Sequence, residues 1–219
     1  MSVDDEKKTP APPPPEPSAL LQKIIARLGP LVAEHQSFRG DDCIHIVREN
    51  ILEVARALRD SPELGFDMLL DVTCVDYFGQ PDGFHSEPEA WDRNHKVVRK
   101  HAERRHRVNL PSRGDAPRFA MVYHLVSTRL AHRLRMKCRV PEDDPTIASL
   151  SALWPGANWL ERETFDLYGI HFNGHPDLRR IYLYDEFVGH PLRKDYGKHD
   201  EQPIQAYVGP GANEPRRPN

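Results

Sequence analysis

L-A-H-R-L-R-M-K-C-R-V, residues Leu130 to Val140, alternates with a period of two. Leu134, Met136, Cys138 and Val140 share one side, and Arg133, Arg135, Lys137 and Arg139 share the other. Successive side chains of a strand point to opposite faces, so the stretch predicts a half-buried strand with one core face and one cationic face. A solvated outer face is the preferred reading of those cations, ahead of a binding face. Just upstream, Arg118 to Val126 reads as a partner strand. Ser127-Thr128-Arg129 is short enough to join the two as a hairpin. Phe66 to Tyr77 is apolar and β-branched enough for a central strand, interrupted by Asp71 and Asp76, and Cys43 to Val47 is a shorter candidate.

Helices flank these strands. Ser18 can cap a segment in which Leu21, Ile24, Ile25 and Leu28 recur at helical spacing, stopped by Gly29-Pro30. Asn50 and Glu53 form a second cap pair ahead of Ile51, Val54, Ala55 and Leu58. After the acidic turn from Pro141 to Pro145, Ile147 to Trp154 is expected to hold a helical turn. A third helix is expected to open at Asn158, with Glu161 as the reciprocal partner of a capping box. Its buried stripe would be Leu160, Thr164 and Leu167, with Trp159 and Phe165 flanking. Glu161, Glu163 and Asp166 would favour the dipole of its first turns, and Gly169 would end it. Beyond it, Gly174-His175-Pro176 with Leu178-Arg179-Arg180 is echoed by Gly189-His190-Pro191 with Leu192-Arg193-Lys194. Each copy presents a turn, a rigid proline and a cationic pair.

With 219 residues and 29% charged side chains, the chain has room for one ordinary core. A net charge of −3 gives no overall pull toward nucleic acid or membrane. No apolar run approaches the ~20 residues of a membrane span. Cys43, Cys74 and Cys138 are isolated, which suits a reducing compartment and offers no paired-cysteine metal or cluster site. Residues 1–17, acidic then proline-rich, are expected to be disordered and to be no signal peptide. The segment from Gly79 to Pro117 is long, polar and rich in arginine and histidine. It lacks the aromatic or groove-reading residues of a nucleic-acid site, and is expected to be a solvated, partly helical insertion.

Chemistry of its own is not apparent in the chain. Nucleotide loops, a nucleophile elbow and the zinc-protease helix motif are all missing. Glu161 and Glu163 diverge around a helix and make a poor acid–base pair. A histidine before proline at a turn, as at His175 and His190, is more often structural than catalytic. Arginines fixed by turns suit bidentate pairing with carboxylates on a partner, so a docking surface is the better reading.

These residues resemble the 30 kDa subunit family of respiratory complex I, the C subunit of NADH-quinone oxidoreductase. The likeness runs from about Leu20 to Tyr196. It is densest in V-P-E-D-D-P at Val140 to Pro145, L-W-P-G-A-N-W-L-E-R-E at Leu153 to Glu163, F-D-L-Y-G-I at Phe165 to Ile170, and both G-H-P segments through L-R-K-D-Y at Leu192 to Tyr196. Thr164 stands where the family usually has an apolar residue, and the family's connection at 79–117 is usually much shorter. The resemblance implies a two-layer α+β domain over 18–170, its mixed sheet covered by helices on one face, and an extended C-terminal arm over 171–219. It implies a subunit that binds no cofactor, has no catalytic site and contacts no nucleic acid. FMN and iron–sulfur clusters would sit in partner subunits, chiefly around the large quinone-site subunit on which this chain would dock. It would lie peripherally on the cytoplasmic side of a bacterial inner membrane, held there only through the complex. Glu161, Arg162, Glu163, Asp166, His175, Arg179, Arg180, His190, Arg193, Lys194 and Asp195 are the interface residues the resemblance implies. The alternatives are the homologous subunit of a membrane-bound hydrogenase, whose partner carries a nickel–iron site, and a stand-alone basic binding module resting on the insertion.

Overall fold

Strands β1 (Val32–Phe38) and β2 (Asp41–Ile46) form a hairpin, and β2 runs parallel to β7 (His132–Val140). The pairs β7–β6 (Phe119–Ser127) and β6–β3 (Met68–Asp76) are antiparallel. Together they make a five-stranded mixed sheet in the order β1-β2-β7-β6-β3. The computed structural model describes residues 17–78, 90–91, 97–98, 117–196 and 202. The expected N-terminal segment up to residue 16, most of the insertion, and the chain after Tyr196 except Gln202 lie outside these residues. The alternation in β7 holds: Leu134, Met136, Cys138 and Val140 are buried. They share one core with Met121, Tyr123 and Leu125 of β6.

Helices α1 (Ala19–Leu28) and α2 (Ile51–Asp60) enter the same core through Leu21, Ile24, Ile51, Val54 and Leu58. Ser18 caps α1 by accepting the Leu21 N–H at 3.0 Å. Asn50 makes no side-chain cap, because the tight turn Arg48–Asn50 runs directly into α2 and leads the chain in. The sheet and helices thus form the expected α+β layers. Two strand assignments change. Strand β3 is at the sheet's edge rather than its centre, and Met68, Leu70 and Val75 on it are exposed while Leu69, Val72 and Cys74 are buried. Residues Thr146–Ala148 form strand β8, paired in parallel with β9 (His171–Asn173), and the turn expected from Ile147 begins only after it. Buried Ile147 lies opposite buried Phe172, a pair that favours a strand there. In the insertion, Ala90–Trp91 (β4) and Val97–Val98 (β5) form a short antiparallel ladder, and the rest of that segment, expected to be partly helical, lies outside the described residues.

Helix α3 (Ala157–Tyr168) packs against β3. Its buried residues are Ala157, Glu161, Arg162, Thr164 and Asp166, so the expected stripe of Leu160 and Leu167 is not the one most deeply enclosed. Thr164 Oγ1 donates to the Leu160 carbonyl at 3.0 Å and lies 3.4 Å from the Val72 carbonyl of β3. A hydroxyl at this polar seam has a use that an aliphatic side chain would lack. From Gly174 to Tyr196 the chain has no helix or strand, and it folds back over α3.

Candidate functional site

The helix cap comes first. Helix α3 begins at Ala157 after Gly156, not at Asn158, and has no side-chain cap. Glu161 is therefore its fifth residue and turns inward. Its carboxylate accepts from Ser149 Oγ at 2.6 Å and from the Leu150 N–H at 2.7 Å. Burial pushes it up to about 7, against the pull of those two donors. His175 is buried beside it, with Nε2 4.0 Å from the carboxylate. The His175 ring accepts the Asp177 N–H on Nδ1 at 3.0 Å and donates from Nε2 to the Asn158 carbonyl at 3.1 Å. Both ring nitrogens are used, as a structural histidine requires.

One turn apart on α3, Arg162 and Asp166 grip the backbone of residues 179–183 with opposite polarity. Arg162 donates to the carbonyls of Arg179 at 3.0 Å and Arg180 at 3.2 Å. Asp166 Oδ2 accepts the N–H groups of Ile181, Tyr182 and Leu183 at 3.0, 2.8 and 3.0 Å. Its other oxygen accepts from Arg180 Nη1 at 3.1 Å. Burial alone would raise Asp166, but the three N–H donors and the Arg180 charge outweigh it and hold the carboxyl below its ordinary value.

The second G-H-P segment closes the helix's far end. His190 Nδ1 donates to the Asp166 carbonyl at 2.9 Å, the Leu192 N–H to Leu167 at 3.1 Å, and Arg193 Nε to Tyr168 at 2.6 Å. The last carbonyls of a helix lack intrahelical partners, and here one loop supplies three donors, one of them cationic. Gly169 has φ 73°, and a Cβ there would collide with His190 and Arg193. The glycine is required both for the left-handed turn and for the close approach.

A third tie runs through Arg118, immediately before β6. Its guanidinium meets Asp76 at 2.7 and 2.9 Å, Asp195 at 2.7 and 3.0 Å, and Glu142 at 2.6 Å. It also stacks on the rings of Phe78 and Phe119. The Lys194 N–H adds a bond to Asp76 at 2.8 Å. Burial opposes ionisation of Asp76, but Arg118 and two backbone N–H donors win and lower its titration.

The implied interface residues therefore separate into two groups. Arg162, Asp166, His175, Arg180, His190 and Arg193 are engaged within the chain where α3 holds residues 175–193, and Glu161 is engaged with Ser149 and Leu150. Asp195 is tied to Arg118 but keeps an exposed side. Arg179 is exposed and paired with Asp177 at 2.6 Å. The Lys194 side chain is exposed, and half-exposed Glu163 has no hydrogen bond or ion pair among the described residues. Sequence reasoning missed Arg118 and Asp76, although an acid inside an apolar strand was the available signal. Trp159, expected to flank the buried stripe of α3, is instead 64% exposed, and Tyr182, which was given no role, is 66% exposed on the gripped backbone. Arg162 stacks under Trp159 at 4.8 Å. Among the described residues no group of three or more acidic, histidine or cysteine side chains could hold a metal, and no helix is long and apolar enough to cross a membrane.

Residues 44–202 match the family of the respiratory-chain NADH dehydrogenase 30 Kd subunit. The chain belongs to this family. The C subunit of NADH-quinone oxidoreductase from Legionella pneumophila strain Paris is 41% identical over 178 residues, covering 81% of this chain and 76% of the relative. The corresponding protein of Burkholderia cenocepacia strain HI2424 is 40% identical over 190 residues, 86% of this chain and 78% of the relative. The structure of an archaeal membrane-bound sulfane sulfur reductase contains a chain with a TM-score of 0.58 at 18% identity, covering 82% of this chain and 85% of that one. At that identity it speaks for the fold alone. In this chain L-E-R-E and F-D-L-Y-G-I supply Arg162, Asp166 and Gly169, and the segments that follow the two G-H-P turns supply what packs against them.

Proposed function

We propose that this chain is a non-catalytic peripheral subunit of a proton-translocating NADH:quinone oxidoreductase, docking on the large quinone-site subunit and its iron–sulfur neighbours. FMN and the iron–sulfur clusters belong to the partners, and the chain reaches the cytoplasmic side of the membrane only through them. The observation that carries this is the rigid display of Trp159 and Tyr182 beside an arm fixed at both ends of α3. An exposed tryptophan stacked on an arginine, with an exposed tyrosine on the backbone that the arginine's helix grips, has the composition of an interface hot spot. The clamp fixes their directions before a partner arrives, which lowers the ordering cost of association. Arg179 and Lys194, with exposed cationic heads, would lie at its rim. On this reading the interface lies on the arm and on α3, through side chains that the clamp leaves free.

The test is isolation of the tagged full-length chain from membranes in gentle detergent. The large quinone-site subunit should accompany it. The double substitution Trp159→Ala with Tyr182→Ala should abolish that recovery while leaving stability within ~0.5 kcal/mol, as for surface positions. Recovery of a partner carrying a nickel site, or undiminished recovery by the double variant, would overturn the reading.

A further inference from the structure

The sheet face turned away from the core holds the second feature. Arg133, Arg135, Lys137 and Arg139 alternate with buried residues along β7. Their cross-strand neighbours on β6 are Val126, His124, Val122 and Ala120. On β2, Arg135 lies beside Cys43 and Lys137 beside His45. Cys43, Ala120 and Val122 are buried yet belong to no part of the main core. Of the cations, Arg133 is exposed, and Arg135, Lys137 and Arg139 are partly exposed.

Arg133, Arg135 and Lys137 make no ion pair or hydrogen bond among the described residues, whereas Arg139 stacks on Tyr77 at 4.3 Å and lies close enough to Glu34 to favour its ionised form. Their field is felt locally. Burial is the main cause that lowers His45, to about 4, and Lys137 and Arg139 add to it. His124 is likewise lowered, by burial and then Arg135. Beside Arg139 the face ends in an open groove of about 380 Å³, lined in part by Glu34, His45, Val47 and Pro141.

We propose that this face is a second docking surface, taking an extended acidic segment of another polypeptide along β7. Alternate residues of an extended chain repeat at ~6.5–7 Å, the same interval that separates the cations. Three of the four are arginines, whose fork pairs with a carboxylate through two hydrogen bonds. Glu34 on β1 and Asp71 on β3 stand on either side of the lane. With Asp41 of β2 also felt at His124, these acids would repel a continuous polyanion lying across the strands, whereas a peptide with spaced carboxylates can set them against the cations of β7. The side chains between the cations on β6 include small aliphatics, not the aromatic platforms on which single-stranded bases stack. That the acidic polypeptide is a fellow subunit rests on the proposed function; the surface itself does not.

The experiment titrates the purified full-length chain with a labelled peptide of alternating glutamate and serine, read by fluorescence anisotropy. Single-stranded oligonucleotide and phosphatidylserine vesicles are the competing probes. The peptide should bind in a salt-sensitive way and ahead of both competitors. Arg135→Glu with Lys137→Glu should weaken it about tenfold or more, and the milder Arg135→Gln with Lys137→Gln should fall between, with melting unchanged. Equal peptide binding by the charge-reversed chain, or preference for oligonucleotide or vesicle, would overturn the proposal. The titration needs no assembled complex. Trp159→Ala with Tyr182→Ala should keep peptide binding while losing co-purification, so failure of one reading is distinguishable from failure of the other.

Discussion

At the scale of single residues, buried charge decides the most. Asp76 has a fully enclosed side chain whose charge is matched by Arg118. Removing one member of such a pair costs ~3–5 kcal/mol, because the other charge stays buried. Arg118→Ala should therefore unfold at markedly lower urea concentration, and Arg118→Lys should recover only part, lacking the fork that spans two carboxylates. Glu161 works in the opposite direction. Its ordinary value of 4.5 is raised to about 7 in the folded chain. Between those pH values the native state keeps a proton that the unfolded state has released, so stability falls as pH rises through that window. The difference amounts to about 3 kcal/mol above pH 7. Glu161→Gln keeps an acceptor for the Leu150 N–H and a donor for Ser149. Its stability relative to the parent chain should be level below pH 4.5 and rise to a plateau above pH 7, measured by urea denaturation across pH. Neither role was legible in the sequence. Asn158-x-x-Glu161 matches a capping box in spacing alone, and only the helix start at Ala157 turns Glu161 inward.

Among the elements, α3 and the chain that returns over it depend on Gly169. Gly169→Ala places a side chain at φ 73° and drives it into His190 and Arg193. The left-handed conformation alone costs ~1–2 kcal/mol for an L-residue. The loss should exceed that, since the donors to Leu167 and Tyr168 are displaced as well, and limited proteolysis should cut between 185 and 196 sooner than in the parent chain. The glycine was readable as a helix end, but its neighbours were not, because they arrive from more than twenty residues away. The same division holds elsewhere. The stripe of α2 and the alternation of β7 were readable, since local periodicity reports burial directly. Strand β1, V-A-E-H-Q-S-F, was not: it is an edge strand without an apolar alternation. Its turn to β2 also departs from the usual signal, with Arg39 rather than asparagine at φ 54° before Gly40.

For the whole molecule, the α+β layers follow from pieces that each announce themselves, whereas the clamp emerges only when distant segments meet. Arginines that looked ready for a partner are instead consumed in holding the chain together, as Arg180 and Arg193 show. The purified chain should neither oxidise NADH nor reduce a quinone, since the proposed electron path lies wholly in its partners; turnover in a metal-free preparation, followed by NADH absorbance, would disprove this. The contact between α3 and β3 has a further consequence. A terminal strand with open ladder groups invites other chains to add to it, and polymerisation can start there. Thr164 approaches a ladder carbonyl of β3, and α3 is held in that position by the returning chain. At the opposite end, β1 carries Glu34 beside an irregularity in its register, a charged and twisted border that discourages addition. The clamp should therefore guard this edge, and loosening it at Asp166 or Gly169 should appear first as loss of soluble protein.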